Sequence, residues 1–249
     1  MLNKIVFNIV KYVRRKEISA GKEYPIDFEQ SDIEIIKKVR QYTMTSPERI
    51  VALIKGIQYI VKNNIPGDIV ECGVWKGGSM MAAALALIAM KDTDRNLYLF
   101  DTFEGMTEPT KDDISCKGDR ALDLLKKNEK DEESYIWAYS PLEKVKSNLL
   151  SIGYDFRKIH FIKGKVEETI PEKAPEKISL LRLDTDWYKS TLHELAHLYP
   201  RLSPGGIIII DDYGHWHGAR KATEEFIKNN NIRLFLSRID YTGKIGVKQ

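Results

Sequence analysis

Four aspartates follow two apolar runs in the C-terminal half of the chain. Asp184 and Asp186 come after "LLRL", and Asp211 and Asp212 come after "IIII". If both runs are parallel strands, their carboxyl ends meet at one edge of a sheet. The carboxylates would then repel one another and raise one another's pKa unless a cation neutralises them. Because the set offers hard oxygen ligands and no cysteine, it predicts Mg²⁺ or a similar ion.

These carboxylates could instead serve only the fold. In that interpretation Asp186 or Asp212 caps the helix that follows it, and Asp211 forms an ion pair with Arg182 or Arg220. The sequence leaves both interpretations open.

A glycine-rich segment, "VECGVWKGGSM", connects an apolar run to a helical pattern. It contains Glu71, Gly73 and Ser79, and its glycines would let a ligand approach the backbone closely. The spacing is G-x-x-x-G-G rather than G-x-G-x-x-G, so a dinucleotide pyrophosphate is not the expected ligand. The alternative is a tight turn that binds nothing.

The next two apolar runs end in residues that would complete a nucleoside site. Asp101 ends "LYLFD", at a position where an acid commonly holds ribose hydroxyls. Gly164, Lys165 and Val166 follow "KIHFIK", where they could line the edge of an adenine. A turn, a ribose acid and a base pocket without a phosphate-binding loop predict S-adenosylmethionine as the cofactor.

Histidines near the acids suggest two further kinds of chemistry. His193 and His197 belong to "HELAH", which matches the H-E-x-x-H motif of zinc hydrolases. This segment falls in a helix that must pack on the sheet, so the zinc interpretation is disfavoured. His215 and His217 are placed for contact with substrate or for proton transfer, although a role in a surface loop fits them equally well.

A parallel sheet is needed to bring these residues together. Five short apolar runs alternate with helical patterns, which is typical of a parallel sheet covered by helices on both faces. The predicted strands span 67–73, 96–101, 158–164, 178–184 and 205–212, and the predicted helices span 31–42, 47–64, 79–91, 119–130, 140–151, 189–200 and 217–230. Two further runs, 232–239 and 244–249, predict an antiparallel C-terminal hairpin, for seven strands in all.

The composition of the chain and its N-terminal segment bear on its expected partners and location. The chain of 249 residues has a formal net charge of +3, and its basic residues are scattered, so nucleic acid is not an expected partner. Residues 1–19 predict an amphipathic helix with a basic end, packed on its own domain, on a dimer partner or on a membrane surface. This helix is too short and too polar to span a membrane, and no signal-peptide pattern follows it, which favours a cytoplasmic location. The long polar segment 102–118 predicts a lid.

Three blocks of sequence together resemble the macrocin O-methyltransferase family of metal-dependent sugar O-methyltransferases. They are "MTSPERIVALIKGIQYIVKNNIPGDIVECGVWKGGS", "LFDTFEGM" and "LLRLDTDWYKSTLHELAHLYPRLSPGGIIIIDDYG", and the similarity covers about residues 40 to 230. The resemblance implies a Rossmann-like class I methyltransferase fold with a seven-stranded sheet. We expect a helical N-terminal extension or cap over 1–64 and the methyltransferase domain over 65–249.

The resemblance also assigns roles to residues. Glu71, Gly73, Val74 and Ser79 would line S-adenosylmethionine, Thr45 and Ser46 would close over its methionine end, Asp101 would bind ribose, and Asp184, Asp211 and Asp212 would hold Mg²⁺. In this family the aspartate after strand four is also a candidate general base. Lys189 stands where related sequences commonly have an acid, which puts a substrate contact there in doubt.

The predicted reaction is methyl transfer from S-adenosylmethionine to a hydroxyl group of a sugar-containing small molecule. The sugar could be free, nucleotide-linked, or part of a natural product or glycan. Asp184, or secondarily His215, would remove the proton. Three alternatives stay open: methylation of a catechol or other phenol, an iron- and 2-oxoglutarate-dependent hydroxylase on the same fold, and a binding protein without catalysis. We expect a homodimer.

Overall fold

The computed structural model describes residues 24–249, so the helix predicted for residues 1–19 lies outside the described range. A seven-stranded sheet with the order β3-β2-β1-β4-β5-β7-β6 forms the centre of the fold. Its strands are β1 (Asp68–Cys72), β2 (Leu97–Asp101), β3 (Ile159–Lys163), β4 (Ile178–Leu183), β5 (Leu202–Ile210), β6 (Phe235–Arg238) and β7 (Lys244–Val247). Strands β1 to β5 are parallel, while β7 pairs antiparallel with both β5 and β6. The predicted sheet with its C-terminal hairpin is confirmed.

Among the described residues, the helices lie close to the predicted positions except for a single turn at Val166–Thr169, which was not predicted. They are α1 (Gln30–Val39), α2 (Pro47–Lys62), α3 (Gly78–Met90), α4 (Ala121–Lys127), α5 (Leu142–Leu150), α6 (Val166–Thr169), α7 (Tyr188–Leu198) and α8 (His217–Asn229). Helix α2 begins as expected, because the Ser46 hydroxyl accepts a hydrogen bond of 3.2 Å from the backbone N–H of Arg49. Strand β5 begins earlier than predicted, because the sheet accommodates Pro204 and Gly205 through a register shift opposite β4.

The two faces of the sheet are covered by different helices. Ile69 and Leu180 pack into a hydrophobic cluster with α1, α2 and α3, whereas Val70 and Leu181 pack into a second cluster with α7 and α8. We call these the α2 face and the α7 face. Because side chains alternate along a strand, residues 71 and 182 lie on the α2 face, in phase with Ile69 and Leu180.

Helices α1 and α2 are part of the main hydrophobic core. Val39 and Leu53 belong to the same buried cluster as Ile69 of the sheet. The predicted division of the chain at residues 64 and 65 stays a prediction, and the described part of residues 1–64 packs directly against the sheet. Within residues 24–249, the helices fall short of the combined length and apolarity that a membrane crossing requires.

A third, smaller cluster packs the predicted lid segment against the domain. Trp187 and Trp216 meet edge to face with ring centroids 4.9 Å apart, and Leu125 and Met106 pack beside them. The indole N–H of Trp187 donates to the carbonyl of Thr107 at 3.0 Å. Segment 102–118 therefore lies folded over the carboxyl edge of the sheet, and its expected motion as a lid stays a prediction.

Candidate active site

A cleft of about 750 Å³, including its open mouth, lies at the carboxyl ends of β1, β2, β3 and β4. The predicted cofactor residues that line it are Gly73, Val74, Asp101, Gly164 and Val166. The cleft also reaches Asp184 and Asp186, and residues 105–107 of the folded-over segment form one wall. One cavity thus joins the glycine turn to the acids that follow β4.

Position 73 requires a glycine, because the end of β1 lies very close to the end of β4. The φ angle of Gly73 is +83°, and a Cβ at this position would collide with the backbone carbonyl of Asp184. Two backbone hydrogen bonds connect the strand ends in this region. The N–H of Gly73 donates to the carbonyl of Phe100 at 2.9 Å, and the N–H of Asp184 donates to the carbonyl of Cys72 at 2.8 Å. The glycine therefore brings the β1 turn into contact with the segment that carries Asp184.

The Asp101 carboxylate organises the β1 turn and also lines the cleft. It accepts backbone N–H bonds from Val74 at 2.6 Å, from Trp75 at 3.2 Å and from Phe103 at 2.6 Å. Burial raises the pKa of Asp101, and these backbone hydrogen bonds oppose the increase. The Thr102 hydroxyl lies 3.5 Å from Oδ1 but makes its shorter hydrogen bond, of 2.7 Å, to the carbonyl of Gly105. Because a carboxylate offers about four acceptor positions, Asp101 keeps one of them for a ligand hydroxyl.

Four other predicted cofactor residues do not line the cleft. Thr45 accepts a hydrogen bond of 3.0 Å from Arg182, and Ser46 caps α2 and donates to Asp240 at 2.7 Å. Glu71 and Ser79 are buried, Ser79 in the first turn of α3. The sequence motif predicted a cofactor site in this region but did not indicate which side chains turn toward the cleft.

Arg182 is the centre of a buried cluster of charges on the α2 face. Its guanidinium, in a side chain 2% exposed, donates to Glu71 at 2.6 Å, to Asp184 at 2.6 Å and to Asp211 at 2.5 Å. Burial alone would lower the pKa of Arg182, but the carboxylates of Asp184, Asp211 and Glu71 raise it well above its usual value. Burial raises the pKa of Glu71 to about 7, against the attraction of Arg182. Arg49 forms a second ion pair with Asp211.

Three of the four strand-end aspartates form a group that could hold a metal ion. Oxygens of Asp184, Asp186 and Asp212 all lie within 4.8 Å of one another, and no other such group occurs within residues 24–249. Asp211 was predicted to belong to this set, but its side chain is directed to Arg182 and Arg49. Adjacent residues at the end of a strand project to opposite sides, which separates Asp211 from Asp212.

The electrostatics of this group favour a cation. Burial raises the pKa of Asp186 to about 7, a hydrogen bond with Asp212 opposes the increase, and repulsion from Asp184 and Asp211 adds to it. Burial also raises the pKa of Asp212 well above its usual value, with further repulsion from Asp186. Asp212 Oδ2 is buried and has no hydrogen-bond partner among the described residues. Hard, crowded and partly unsatisfied carboxylate oxygens fit Mg²⁺.

Asp186 is the site residue whose conformation the sequence did not indicate. The sequence places it among the strand-end acids and also offers it as a helix cap, whereas its φ of 64° places it in a left-handed turn between β4 and α7. Left-handed backbone at a non-glycine residue is strained and is often found at functional sites. The signal available in the sequence was its spacing of two residues from Asp184.

The histidines lie outside the lining of the cleft. His215 Nδ1 is 3.7 Å from Cys116 Sγ and 3.5 Å from the Tyr241 hydroxyl, and burial lowers its pKa, helped by Lys117 and Arg49. His217 begins α8. Lys189, the position that departs from the family pattern, is exposed and lies 3.9 Å from Glu167.

The "HELAH" motif is engaged in hydrogen bonds within the fold. His193 Nε2 bonds to the carbonyl of Ile170 at 3.0 Å, and His197 Nδ1 bonds to the carbonyl of His193 at 2.8 Å. Glu194, between them, is fully buried. Neither histidine belongs to a potential metal group within the described range.

Comparison with known proteins gives consistent matches along most of the chain. The model of the family described as macrocin-O-methyltransferase (TylF) matches residues 8–246. The chain is 35% identical over 202 residues to the 8-demethyl-8-(2,3-dimethoxy-alpha-L-rhamnosyl)-tetracenomycin-C 4'-O-methyltransferase of Streptomyces olivaceus, covering 81% of this chain and 74% of the relative. It is 32% identical to the mycinamicin III 3''-O-methyltransferase of Micromonospora griseorubida, covering 81% and 76%. The solved structure of the O-methyltransferase NovP superimposes with a TM-score of 0.73 at 30% identity, covering 84% of this chain and 82% of that one.

Proposed function

The chain belongs to the macrocin O-methyltransferase family, and on that premise we propose that it transfers the methyl group of S-adenosylmethionine to a sugar hydroxyl with the help of Mg²⁺. The observation that carries this proposal is the single cleft shared by the glycine turn and the acid group. A methyl donor at the turn and an acceptor hydroxyl at the acids would face each other within one cavity. Methyl transfer is an in-line displacement, so this positioning is the main catalytic requirement.

At the turn, the residues that line the cleft would bind the cofactor. Gly73 leaves the backbone open, Val74 and Val166 offer apolar surface, and Asp101 keeps acceptor capacity for ribose hydroxyls. Glu71, with the other predicted cofactor residues Thr45, Ser46 and Ser79, would act from behind this lining by holding it in place.

At the acid group, Asp184 and Asp212 are the proposed ligands of Mg²⁺. A bound ion would stabilise the alkoxide that forms on the acceptor. Asp211, the third ligand that the resemblance implies, would first have to release Arg49 or Arg182. Asp186 completes the group in the described arrangement.

We propose Asp186 as the residue that receives the proton of the acceptor hydroxyl. Asp184 was predicted for this role, and burial raises its pKa well above the usual value against the attraction of Arg182. Its carboxylate, however, accepts a hydrogen bond from Arg182 and would also bind the ion, so it is less free to receive a proton from the acceptor. Asp186 lines the cleft and has no arginine partner among the described residues. His215 lies outside the lining, so a catalytic role for it has less support.

The relatives indicate the class of acceptor. One of the two relatives is named for 4'-O-methylation of a rhamnosyl tetracenomycin, and the other for 3''-O-methylation of mycinamicin III. We therefore propose a natural-product glycoside rather than a catechol as the acceptor. The acid group contains no histidine, which gives no support to an iron hydroxylase. A homodimer and a cytoplasmic location stay predictions.

The direct test is a turnover assay with labelled S-adenosylmethionine and a panel of deoxysugar glycosides, nucleotide sugars and catechols. We expect methylation of a glycoside, loss of turnover in EDTA and recovery with Mg²⁺. Calorimetry should find binding of S-adenosylmethionine that is unchanged by EDTA. Full turnover in EDTA would remove the metal from the mechanism, and methylation of catechols alone would exclude the sugar.

A further inference from the structure

The buried carboxyl of Glu194 lies against the turn that carries the acid group. Its exposure is 0%, and Oε1 accepts a hydrogen bond of 2.9 Å from the hydroxyl of Thr185. Oε2 is buried without a hydrogen-bond partner among the described residues. Burial raises the pKa of Glu194 to about 8, the Thr185 hydrogen bond opposes this increase, and Glu167 adds to it. An acid so placed is costly to bury, and packing alone does not account for it.

Thr185 is the residue through which this carboxyl reaches the site. It stands between Asp184 and Asp186 and lines the cleft. Its carbonyl accepts the N–H of Trp187 at 2.7 Å, which closes the turn at the start of α7. The left-handed Asp186 follows directly, and such a conformation persists only when its surroundings hold it.

The turn is therefore held in two ways: by the backbone hydrogen bond at the start of α7, and by the side chain of Glu194 within that helix. The flanking His193 and His197 bond to backbone carbonyls of residues away from the turn. Glu194 is thus the member of "HELAH" that is connected to the acid group, through Thr185.

We propose that Glu194 is a positioning residue, which holds the Thr185 hydroxyl and thereby fixes the relative placement of the Asp184 and Asp186 carboxylates. The effect of Glu194 on catalytic turnover rests on the proposed function, whereas its effect on the conformation of residues 184–187 does not. The required property is an uncharged acceptor at Oε1, which glutamine would also provide.

The test compares Glu194→Met, which removes the acceptor at similar volume, with Glu194→Gln, which keeps it. Thr185→Val breaks the same hydrogen bond from the other side. His197→Asn, on the same helix, is the matched control. Each variant is measured by amide hydrogen exchange of residues 184–187 in the ligand-free protein, and by kcat and KM for methyl transfer.

We expect E194M and T185V to accelerate exchange at 184–187 by about tenfold or more, and E194Q and H197N to stay within about twofold of wild type. A misplaced turn should lower kcat by roughly 10- to 100-fold in E194M, with KM for S-adenosylmethionine changed less than about threefold. The double variant T185V/E194M should resemble the single variants, because both break one bond.

Two outcomes would overturn the proposal. One is an E194M variant that unfolds at lower temperature but keeps wild-type exchange at 184–187 and wild-type kcat. The other is a double variant in which the two losses multiply. If the wild-type chain methylates no acceptor, the proposed function fails, and the exchange comparison still decides the role of Glu194.

Discussion

The acid group is supported in different ways from the two faces of the sheet. On the α2 face, the positive charges of Arg182 and Arg49 compensate buried carboxylates. On the α7 face, Glu194 forms no ion pair within residues 24–249, and its contact with the site is a hydrogen bond from Thr185. The same edge is therefore held by charge compensation on one side and by a neutral hydrogen bond on the other.

The two kinds of support should contribute differently to the stability of the fold and to the alignment of the acid group. Removing one partner of a buried ion pair leaves an uncompensated charge and costs about 3–5 kcal/mol. Removing one neutral hydrogen bond costs about 0.5–1.5 kcal/mol, but it can still displace the groups that it aligned. We therefore expect substitutions in the charge cluster of the α2 face to act mainly on the free energy of unfolding. Substitutions that break the Glu194–Thr185 hydrogen bond on the α7 face should act mainly on turnover.

The largest effect is expected for Arg182→Met. Glu71 and Asp211 would lose their shared cation while remaining buried, so the free energy of unfolding should fall by about 3–5 kcal/mol. Chemical denaturation followed by circular dichroism measures this loss. Arg220→Met is the matched control, because Arg220 forms an exposed pair with Glu224 and should cost at most about 1 kcal/mol. Equal losses in the two variants would contradict the difference between the faces.

A smaller effect, and one on turnover, is expected for Asp186→Asn. As the proposed proton acceptor, Asp186 should be needed for turnover, and kcat should fall by roughly 100-fold or more. Stability should not fall, because the substitution removes one of several mutually repelling acids. Thermal unfolding and steady-state kinetics on the same preparation measure both quantities.

Asp211→Asn provides the contrast with Asp186→Asn. It removes the charge that Arg49 and Arg182 share, so stability should fall by about 1–3 kcal/mol. Binding of Mn²⁺, followed by electron paramagnetic resonance, separates the remaining possibilities. If D211N abolishes Mn²⁺ binding while D186N leaves it intact, Asp211 is a ligand as the resemblance implies, and the arginine pairs must open when the ion binds.

These residues show which parts of the site the sequence could predict. Asp184 and Asp212 were found because the carboxyl ends of parallel strands meet at one edge, which is a property of the fold. For Asp211, metal binding and pairing with Arg182 were both left open, and the described structure has the ion pair. That choice depends on which side of the sheet each of two adjacent side chains faces after β5 ends, and strand pattern does not specify it.

The cofactor motif shows the same limit. Gly73 and Asp101 line the cleft because their roles depend on backbone position at strand ends. Glu71 belongs to the same block, but strand alternation directs it to Arg182 on the α2 face. The role of Glu194 could not be predicted from the sequence, because the motif around it suggests zinc and because its hydrogen bond with Thr185 depends on the packing of α7 on the sheet.

The most gradual effect is a pH dependence that tests whether the α7 face is neutral. The pKa of Glu194 is raised to about 8 by burial, so the unfolded chain ionises near pH 4.5 while the folded chain stays protonated. Its contribution to stability is therefore complete below about pH 4.5 and is lost as the pH rises toward 8. Glutamine does not titrate, so E194Q should gain stability relative to wild type between pH 5 and 8, by about 1 kcal/mol for each pH unit. Glu143→Gln, at an exposed position, should give a curve parallel to wild type. If the difference between E194Q and wild type is constant over this range, Glu194 is ionised in the folded protein, and the contrast between the two faces is wrong.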